Sequence, residues 1–462
     1  MGLAVIVLAA GIGRRMNSRI PKVLHPIFKR PMLGYVMDTV KKLLPERTVV
    51  VVGYGAEAIK DAMGFSEGIE YVFQPKQLGT GNAVLYAKEV LRGFRGEIVI
   101  LNGDSPLIDA KTIGGLVDAH RKAGACVSVI TAVVEEPYGY GRILRGSSGE
   151  IVGIVEEKDA TLEEKNIKEI NSGVYCVDSE FLWEAIEQIG SDNKQGEYYL
   201  PDIVKVASGL GKLVLGIVAE DACEVLGINN RLELARAEQI IKNRVNRELM
   251  LSGVTLIDPE VTYISPEVLI EADTIIYPNT FIYGKTRIGS GCKIGPFAWI
   301  EDSFLGNGVT VGFSCYIVQA RIEDDVAIGP FAHIRPETEI MSGAKIGNFV
   351  EIKKSTIGRK SKVPHLSYIG DACVGSEVNI GAGTITCNYD GFDKHKTTID
   401  DHAFIGSDTM LVAPVKVGKG ATTGAGSTIT KDVPPGALAI GRARQVIIEE
   451  WKRRPRGKKE KD

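Results

Sequence analysis

The chain has 462 residues, 44% hydrophobic and 24% charged, with a formal net charge of −3. That length exceeds one compact core and predicts two or three domains; the composition is that of an ordinary soluble protein. The near-neutral charge argues against nucleic acid or an anionic membrane as main partner. Seven scattered cysteines form no CxxC pair, so neither a disulfide framework nor a zinc site is indicated, and free thiols fit a reducing cytoplasm. The apolar start, residues 1–10, lacks a basic leader and reads as a buried first strand. No apolar run approaches the roughly 20 residues of a membrane span.

In the first half, residues 3–10, 48–52, 98–102 and 126–133 are β-rich, and 32–44 and 80–91 are helix-like. Such alternation predicts a parallel sheet wrapped by helices. The first strand runs into Ala10-Gly11-Ile12-Gly13-Arg14-Arg15-Met16, then Pro21-Lys22. A glycine-rich turn lets backbone N–H groups approach phosphate oxygens, and the nearby cations neutralise charge. A Walker A sequence is absent, and Met16 stands where a dinucleotide loop needs a small residue. The alternative is a purely structural turn. Gln74 and Leu78-Gly79-Thr80-Gly81 form a second turn able to read a base. Asn102-Gly103-Asp104 closes a buried strand, where ligands of α/β sheets bind. Asp104 is there either a Mg²⁺ ligand or a helix cap.

A helix is expected over 231–251, with Leu232, Ala235, Ile240, Ile241, Val245 and Leu249 at helical spacing. Beyond it an aliphatic residue recurs every six positions, as in Ile322, Ile328, Ile334, Ile340, Ile346 and Ile352. This period is that of a hexapeptide β-helix from about 255 to about 440, with the aliphatic side chains inward. Glycines are expected at its corners, where φ is positive. The basic end, residues 451–462, reads as a solvated tail.

The beat breaks at 352–369 and 380–399. Departures in a solenoid mark its functional face. His365, in an expected Pro-His turn, is the candidate general base; Tyr368, Asn379 and the cations Arg335, Lys353 and Lys394 lie on nearby coils, the cations able to hold a phosphate or simply solvated. His25, His120, His333, His395 and His402 are expected to be surface residues. Cys387 is expected to pack rather than react.

The ordered motifs LxxGxGxRM…PK, LGTG, GD, YGYGR, GIVEEKDA, EINSG and GINN resemble those of the sugar-1-phosphate nucleotidylyltransferases. With the hexapeptide repeats behind them, the chain resembles the bacterial bifunctional N-acetylglucosamine-1-phosphate uridylyltransferase/glucosamine-1-phosphate acetyltransferases along nearly its whole length. The resemblance implies a Rossmann-like α/β nucleotidyltransferase domain with a mostly parallel sheet over 1–229. It implies a linker helix over 230–251 and a left-handed parallel β-helix over 252–462. It also implies a cytoplasmic homotrimer without nucleic-acid or membrane partners, making UDP-N-acetylglucosamine for cell-wall precursors. The substrates would be acetyl-CoA, glucosamine 1-phosphate, N-acetylglucosamine 1-phosphate and UTP, with Mg²⁺ at the uridylyl site.

Residue by residue, Leu8, Ala9, Ala10 and Gly11 would hold the nucleotide, and Arg15 and Lys22 its phosphates. Gln74, Gly79 and Thr80 would read uracil, beside Asn102 and Gly103. Asp104 and Asn229 would bind Mg²⁺; Gly141, Glu156 and Asn171 would bind the amino sugar. Arg335, Lys353, Tyr368, Asn379 and Lys394 match the glucosamine-phosphate site and His365 the base. Ala382, Asn388, Tyr389, Ser407, Ala425 and Arg442 match acetyl-CoA positions. Arg14 departs from the family, which carries a small hydroxyl residue there. The rivals are a nucleotidylyltransferase with the β-helix as a mere stalk, and a non-catalytic assembly subunit.

Overall fold

The computed structural model describes residues 2–64 and 68–452. Most of the expected basic tail, from 453 onward, lies outside the described residues. The chain divides into two compact units, Met1–Ile241 and Lys242–Asp462. The division falls inside the helix Arg231–Leu251.

The first unit holds a mixed sheet of β1 (Gly2–Ala9), β2 (Arg47–Val52), β3 (Ile69–Phe73), β4 (Gly96–Asn102), β5 (Val127–Val133), β6 (Glu169–Asp178) and β7 (Val214–Val218). Their spatial order is β7-β5-β6-β4-β1-β2-β3. Successive β1 residues feed opposite faces: Ala4 and Ile6 join one apolar core, Val5 and Val7 the other. Burial on both faces explains the unbroken aliphatic runs of the central strands. The strand β6 pairs antiparallel with both β4 and β5, and all other pairs along this path are parallel. Its apolar pattern is interrupted by Asn171-Ser172-Gly173, where the register with β5 shifts. The expected helices are realised as Met32–Lys42 and Thr80–Ala87.

The second unit is a left-handed parallel β-helix whose strands stack into three sheets. Register partners sit one coil apart, as Ile276 with Ile294, Ile294 with Val311, and Ile328 with Ile346. The six-residue beat is therefore one side of a triangular coil, and its aliphatic residues fill the interior. The entry to this core is covered by Val245 and Leu249 of the helix, and Asn246 Nδ2 donates to the carbonyls of Pro259 and Thr262 at 2.9 and 3.0 Å.

One expectation is corrected here. Many corner residues with positive φ are not glycines; Phe331, Phe349, Leu366 and Asp371 are among them. A glycine after the aliphatic residue instead answers to crowding between coils. A Cβ on Gly347 would stand 1.8 Å from the Pro364 carbonyl oxygen.

Candidate active sites

In the first unit, the carboxyl ends of β1 and β4 lie side by side, register-paired from Gly2 with Gly96 to Leu8 with Asn102. The chain then turns through Gly13, at φ 67°, into a short 3-10 turn, Arg14–Met16, and a second one, Lys22–Leu24. Two cavities adjoin there. The larger, about 490 Å³, is lined by Leu8, Ala9, Ala10, Gly11, Arg14, Lys22, Gln74, Gly79 and Thr80. The smaller, about 180 Å³, is lined by Arg15, Tyr140, Gly141, Glu156, Asn171 and Asn229. Leu8, Thr80, Asn102 and Asp104 border both. Gly103 packs behind this wall, its N–H donating to Leu8 O at 2.9 Å.

The wall is charged and pre-organised. The Lys22 ammonium contacts the Asp104 carboxylate and donates to Asn229 Oδ1 at 2.7 Å. Arg15 Nη2 donates to the same oxygen at 2.8 Å. Asn229 is held in turn by its own N–H donating to Glu233 Oε2 at 2.6 Å. The Ile228 N–H donates to Asp104 O at 2.9 Å, joining the two loops. The helix-cap alternative for Asp104 fails, because Asp109 caps the helix Ala110–Ala123 by accepting from the Lys111 N–H at 2.7 Å. Gln74 is buried, and its Nε2 donates to Asn82 Oδ1 at 2.8 Å, which fixes the orientation of the amide.

In the smaller cavity the Asn171 N–H donates to Gly141 O at 2.9 Å. Burial, together with the carboxylates of Asp159 and Asp202, pushes Glu156 up to about 7. The adjacent arginines diverge: Arg15 faces Asn229 and the small cavity, whereas Arg14 lines the larger one. Gln77, Lys158, Gln195 and Glu197 also line the larger cavity and were not expected there. Lys158 stands two residues after Glu156 in the GIVEEKDA motif, whereas Gln77, Gln195 and Glu197 come from segments with no motif of their own. The expectation of surface histidines is corrected for His25 and His120, which are buried. His120 Nδ1 is 2.8 Å from Ser128 Oγ.

In the second unit His365 ends the strand Lys362–His365, so the expected Pro-His turn is a strand end, and the exposed side chain stands at a corner. One residue per coil stacks at this corner. Asn348 is the register partner of His365. Gly383 N–H donates to His365 O at 3.3 Å, Asp408 N–H to Ala382 O at 2.6 Å, and Gly426 N–H to Ser407 O at 2.8 Å. The column therefore runs Asn348, His365, Ala382, Ser407, Ala425, with the Arg442 side chain beside Gly426. Below the imidazole it holds only small side chains. His365 Nδ1 lies 2.6 Å from Asn348 Oδ1, a partner that no sequence motif marked.

Around the corner stand the cations. Arg335 pairs with Glu351 at 2.7 Å, and Lys353 with Asp371 at 3.6 Å. Lys394 adjoins Lys353, and that contact and its like charge hold the Lys394 amine below the usual lysine range. Two neighbouring amines that share one carboxylate favour an added anion. Asn388 is buried, its Nδ2 reaching the Asp371 carboxylate and, at 3.4 Å, the Tyr368 hydroxyl. Tyr389 is 60% exposed. Asn379 is set apart: it pairs with Lys362, at the far end of the side that His365 closes, in a depression with Lys345 and Glu377. The half-buried Cys387 thiol is pushed up by burial, as suits a packing residue.

Residues 5–166 match the MobA-like NTP transferase domain, and residues 267–302 and 319–354 match the bacterial transferase hexapeptide (six repeats). The chain is 51% identical to the bifunctional protein GlmU of Carboxydothermus hydrogenoformans, over 96% of this chain and 99% of that protein. It is 49% identical to the protein of the same name from Geotalea uraniireducens, over 97% and 98%. It is 50% identical to the one from Geobacillus thermodenitrificans, over 98% of each.

Proposed function

The chain belongs to the family of the bifunctional GlmU proteins, and on that premise we propose where its two reactions run and which residues run them. It is a nucleotidyltransferase and an acetyltransferase in one chain. Acetyl passes from acetyl-CoA to glucosamine 1-phosphate. N-acetylglucosamine 1-phosphate then takes UMP from UTP, pyrophosphate leaves, and UDP-N-acetylglucosamine results.

The observation that carries the first assignment is the wall shared by two cavities, with Lys22, Asp104 and Asn229 on it. Uridine lies in the larger cavity against Gln74, Gly79 and Thr80. The amino sugar lies in the smaller one against Gly141, Glu156 and Asn171. A phosphate oxygen of the sugar then meets the α-phosphorus of UTP at the wall, and the O–P bond to pyrophosphate breaks as the new one forms. Lys22 and Arg15 stabilise the charge on the transferring group, and the pockets supply alignment.

Asp104 and Asn229 present oxygens to one ammonium group, the donor chemistry that Mg²⁺ takes. Among the described residues no larger cluster of His, Cys, Asp and Glu exists, which suits a metal that phosphates and water complete. Bound there, Mg²⁺ would neutralise phosphate charge.

The second reaction is assigned to the corner column. Asn348 Oδ1 accepts from the Nδ1–H of His365, which leaves the Nε2 lone pair to take a proton from the attacking amine. The nitrogen adds to the thioester carbonyl, and CoA departs as the thiol. Arg335, Lys353 and Lys394 hold the sugar phosphate, with Tyr368 beside them. Small residues at Ala382, Ser407 and Ala425 leave a channel for the CoA arm, and Tyr389 and Arg442 flank it. A mere stalk has no use for an oriented imidazole beside paired amines.

We read the assembly as a homotrimer. Phe331, stacked on Phe349, and Leu366 form an exposed apolar ridge along the corner that carries His365, with Ser314 between them and the exposed Phe297. Such a ridge calls for a covering surface, and one flat-sided coil does not enclose substrates of this size. The scattered cysteines, without a CxxC pair, support a cytoplasmic location. The test is one pure sample assayed twice, for UTP-dependent pyrophosphate release and for glucosamine-1-phosphate-dependent CoA release. Both should appear; absence of CoA release would leave the β-helix a stalk.

A further inference from the structure

Of the two consecutive arginine side chains after the phosphate turn, Arg15 alone is engaged among the described residues, through Asn229. Arg14 lines the larger cavity; its carbonyl accepts from the Asn17 N–H at 3.2 Å, but its guanidinium has no hydrogen-bond or ion-pair partner among the described residues. The other two cations of that cavity are occupied: Lys22 by Asp104 and Asn229, Lys158 by Gln195 Oε1 at 2.5 Å. The backbone aims Arg14 deliberately. Gly13 adopts φ 67° and lies so close to the Lys22 stem that a Cβ on it would meet Lys22 Cβ at 2.5 Å. The residue after Gly13 is thereby seated beside the lysine that faces the transferring phosphate. An unpaired guanidinium there is ready for an anion, and its planar donors suit phosphate oxygens.

We infer that Arg14 grips the pyrophosphate half of the nucleoside triphosphate and is a specificity-determining residue for that half alone. The inference rests on the proposed place of UTP in the larger cavity. Arg15, turned to the smaller cavity, serves the transferring and sugar phosphates instead. Arg14 therefore bears on the leaving group: it binds UTP in the forward direction and pyrophosphate in reverse. It makes no contact that distinguishes the sugar.

The test uses the full chain with Arg14→Met, which keeps length and removes charge, and Arg14→Lys, which keeps charge. Arg19→Met supplies the same charge change outside both cavities. Arg14→Met should raise KM for UTP, and for pyrophosphate in the reverse reaction, roughly tenfold, with kcat little changed, as loss of a binding contact does. KM for N-acetylglucosamine 1-phosphate, KM for UDP-N-acetylglucosamine and the rate of CoA release should stay as they were. Arg14→Lys should recover most of the loss, and Arg19→Met should show none. The gap between wild type and Arg14→Met should narrow as salt is raised, because the contact is solvent-exposed. Unchanged KM for UTP and pyrophosphate in Arg14→Met would overturn the inference, as would an equal rise in all four constants. A wild-type chain that makes CoA but no pyrophosphate would instead bring down the reading of the cavity, and Arg14 with it.

Discussion

Asn348 Oδ1 stands 2.6 Å from Nδ1 of His365, its register partner one coil along the β-helix. The two residues are 17 positions apart in sequence, yet the triangular coil stacks them at one corner. Asn348→Ala would leave the imidazole in place but free to rotate and to change tautomer. Acetyl transfer should then fall in kcat by on the order of tenfold, a part of the roughly 10²–10⁴ that a positioned general base supplies. KM for glucosamine 1-phosphate should barely move. Steady-state CoA release measures both constants, and an unchanged kcat would leave Asn348 a spacer.

Asp104→Ala should abolish pyrophosphate release and spare CoA release. The carboxylate belongs to the wall between the two cavities of the first unit, and loss of the Mg²⁺ proposed there would cost several kcal/mol of barrier. Circular dichroism would establish that the variant is folded. Equal loss of both activities in a folded chain would defeat the claim of independent sites.

The architecture was legible because its causes are periodic. The isoleucines at six-residue intervals each fill one side of a coil, and the aliphatic runs of β1 and β4 mark strands buried on both faces. What escaped was set by long-range packing. Nothing local to Asn348 announces its bond to a residue on the next coil. The strand β6 was hidden because its centre, Asn171-Ser172-Gly173, serves the smaller cavity and breaks the apolar pattern. His25 and His120 are buried against the expectation of surface residues, because burial of one histidine leaves no local mark. The separation of Asn379 from Lys353 depends on which side of the coil each occupies, and motif order does not carry that.

Glu156 predicts a pH effect on stability. Its folded value is pushed up to about 7, chiefly by burial and then by Asp159 and Asp202, from an ordinary 4.5. The folded state thus holds this proton more tightly than the unfolded state does. Its contribution is fully present below about pH 4.5 and is lost as pH rises through about 7, at a cost of about 3 kcal/mol. Glu156→Gln should remove that slope. Thermal melts of both chains between pH 5 and pH 8 would show it; parallel curves would refute the assignment.

The helix Arg231–Leu251 sets where the chain can be cut. Glu233 accepts from the Asn229 N–H, and Leu234 and Ala237 are buried. A first piece ending at Asn229 loses that support, whereas one ending at Ile241 keeps it. Only the longer piece should release pyrophosphate from UTP. The second piece, begun at Lys242, retains Val245, Asn246 and Leu249 over the end of the β-helix core and should stay soluble. Activity in the piece ending at Asn229 would show that Glu233 contributes nothing.

The last prediction joins His365 to assembly. His365 closes one end of a side of the coil, and Asn379 stands at the other end, opposite Lys362. If both residues serve one acetyl site, one chain cannot easily supply both, and a neighbour must bring the second. His365→Ala alone should lower CoA release roughly 10²–10⁴-fold, and Asn379→Ala should lower it through KM for glucosamine 1-phosphate. Chains of the two kinds, unfolded together and reassembled in equal amounts, would then pair an intact His365 with an intact neighbouring Asn379. About a quarter of the sites in a randomly mixed trimer should be whole, the expectation for a site built across a cyclic interface. Native mass spectrometry would confirm mixed trimers before the assay. Mixed trimers with no more activity than the separate variants would place the whole site within one chain. Full activity of Asn379→Ala would remove that residue from it.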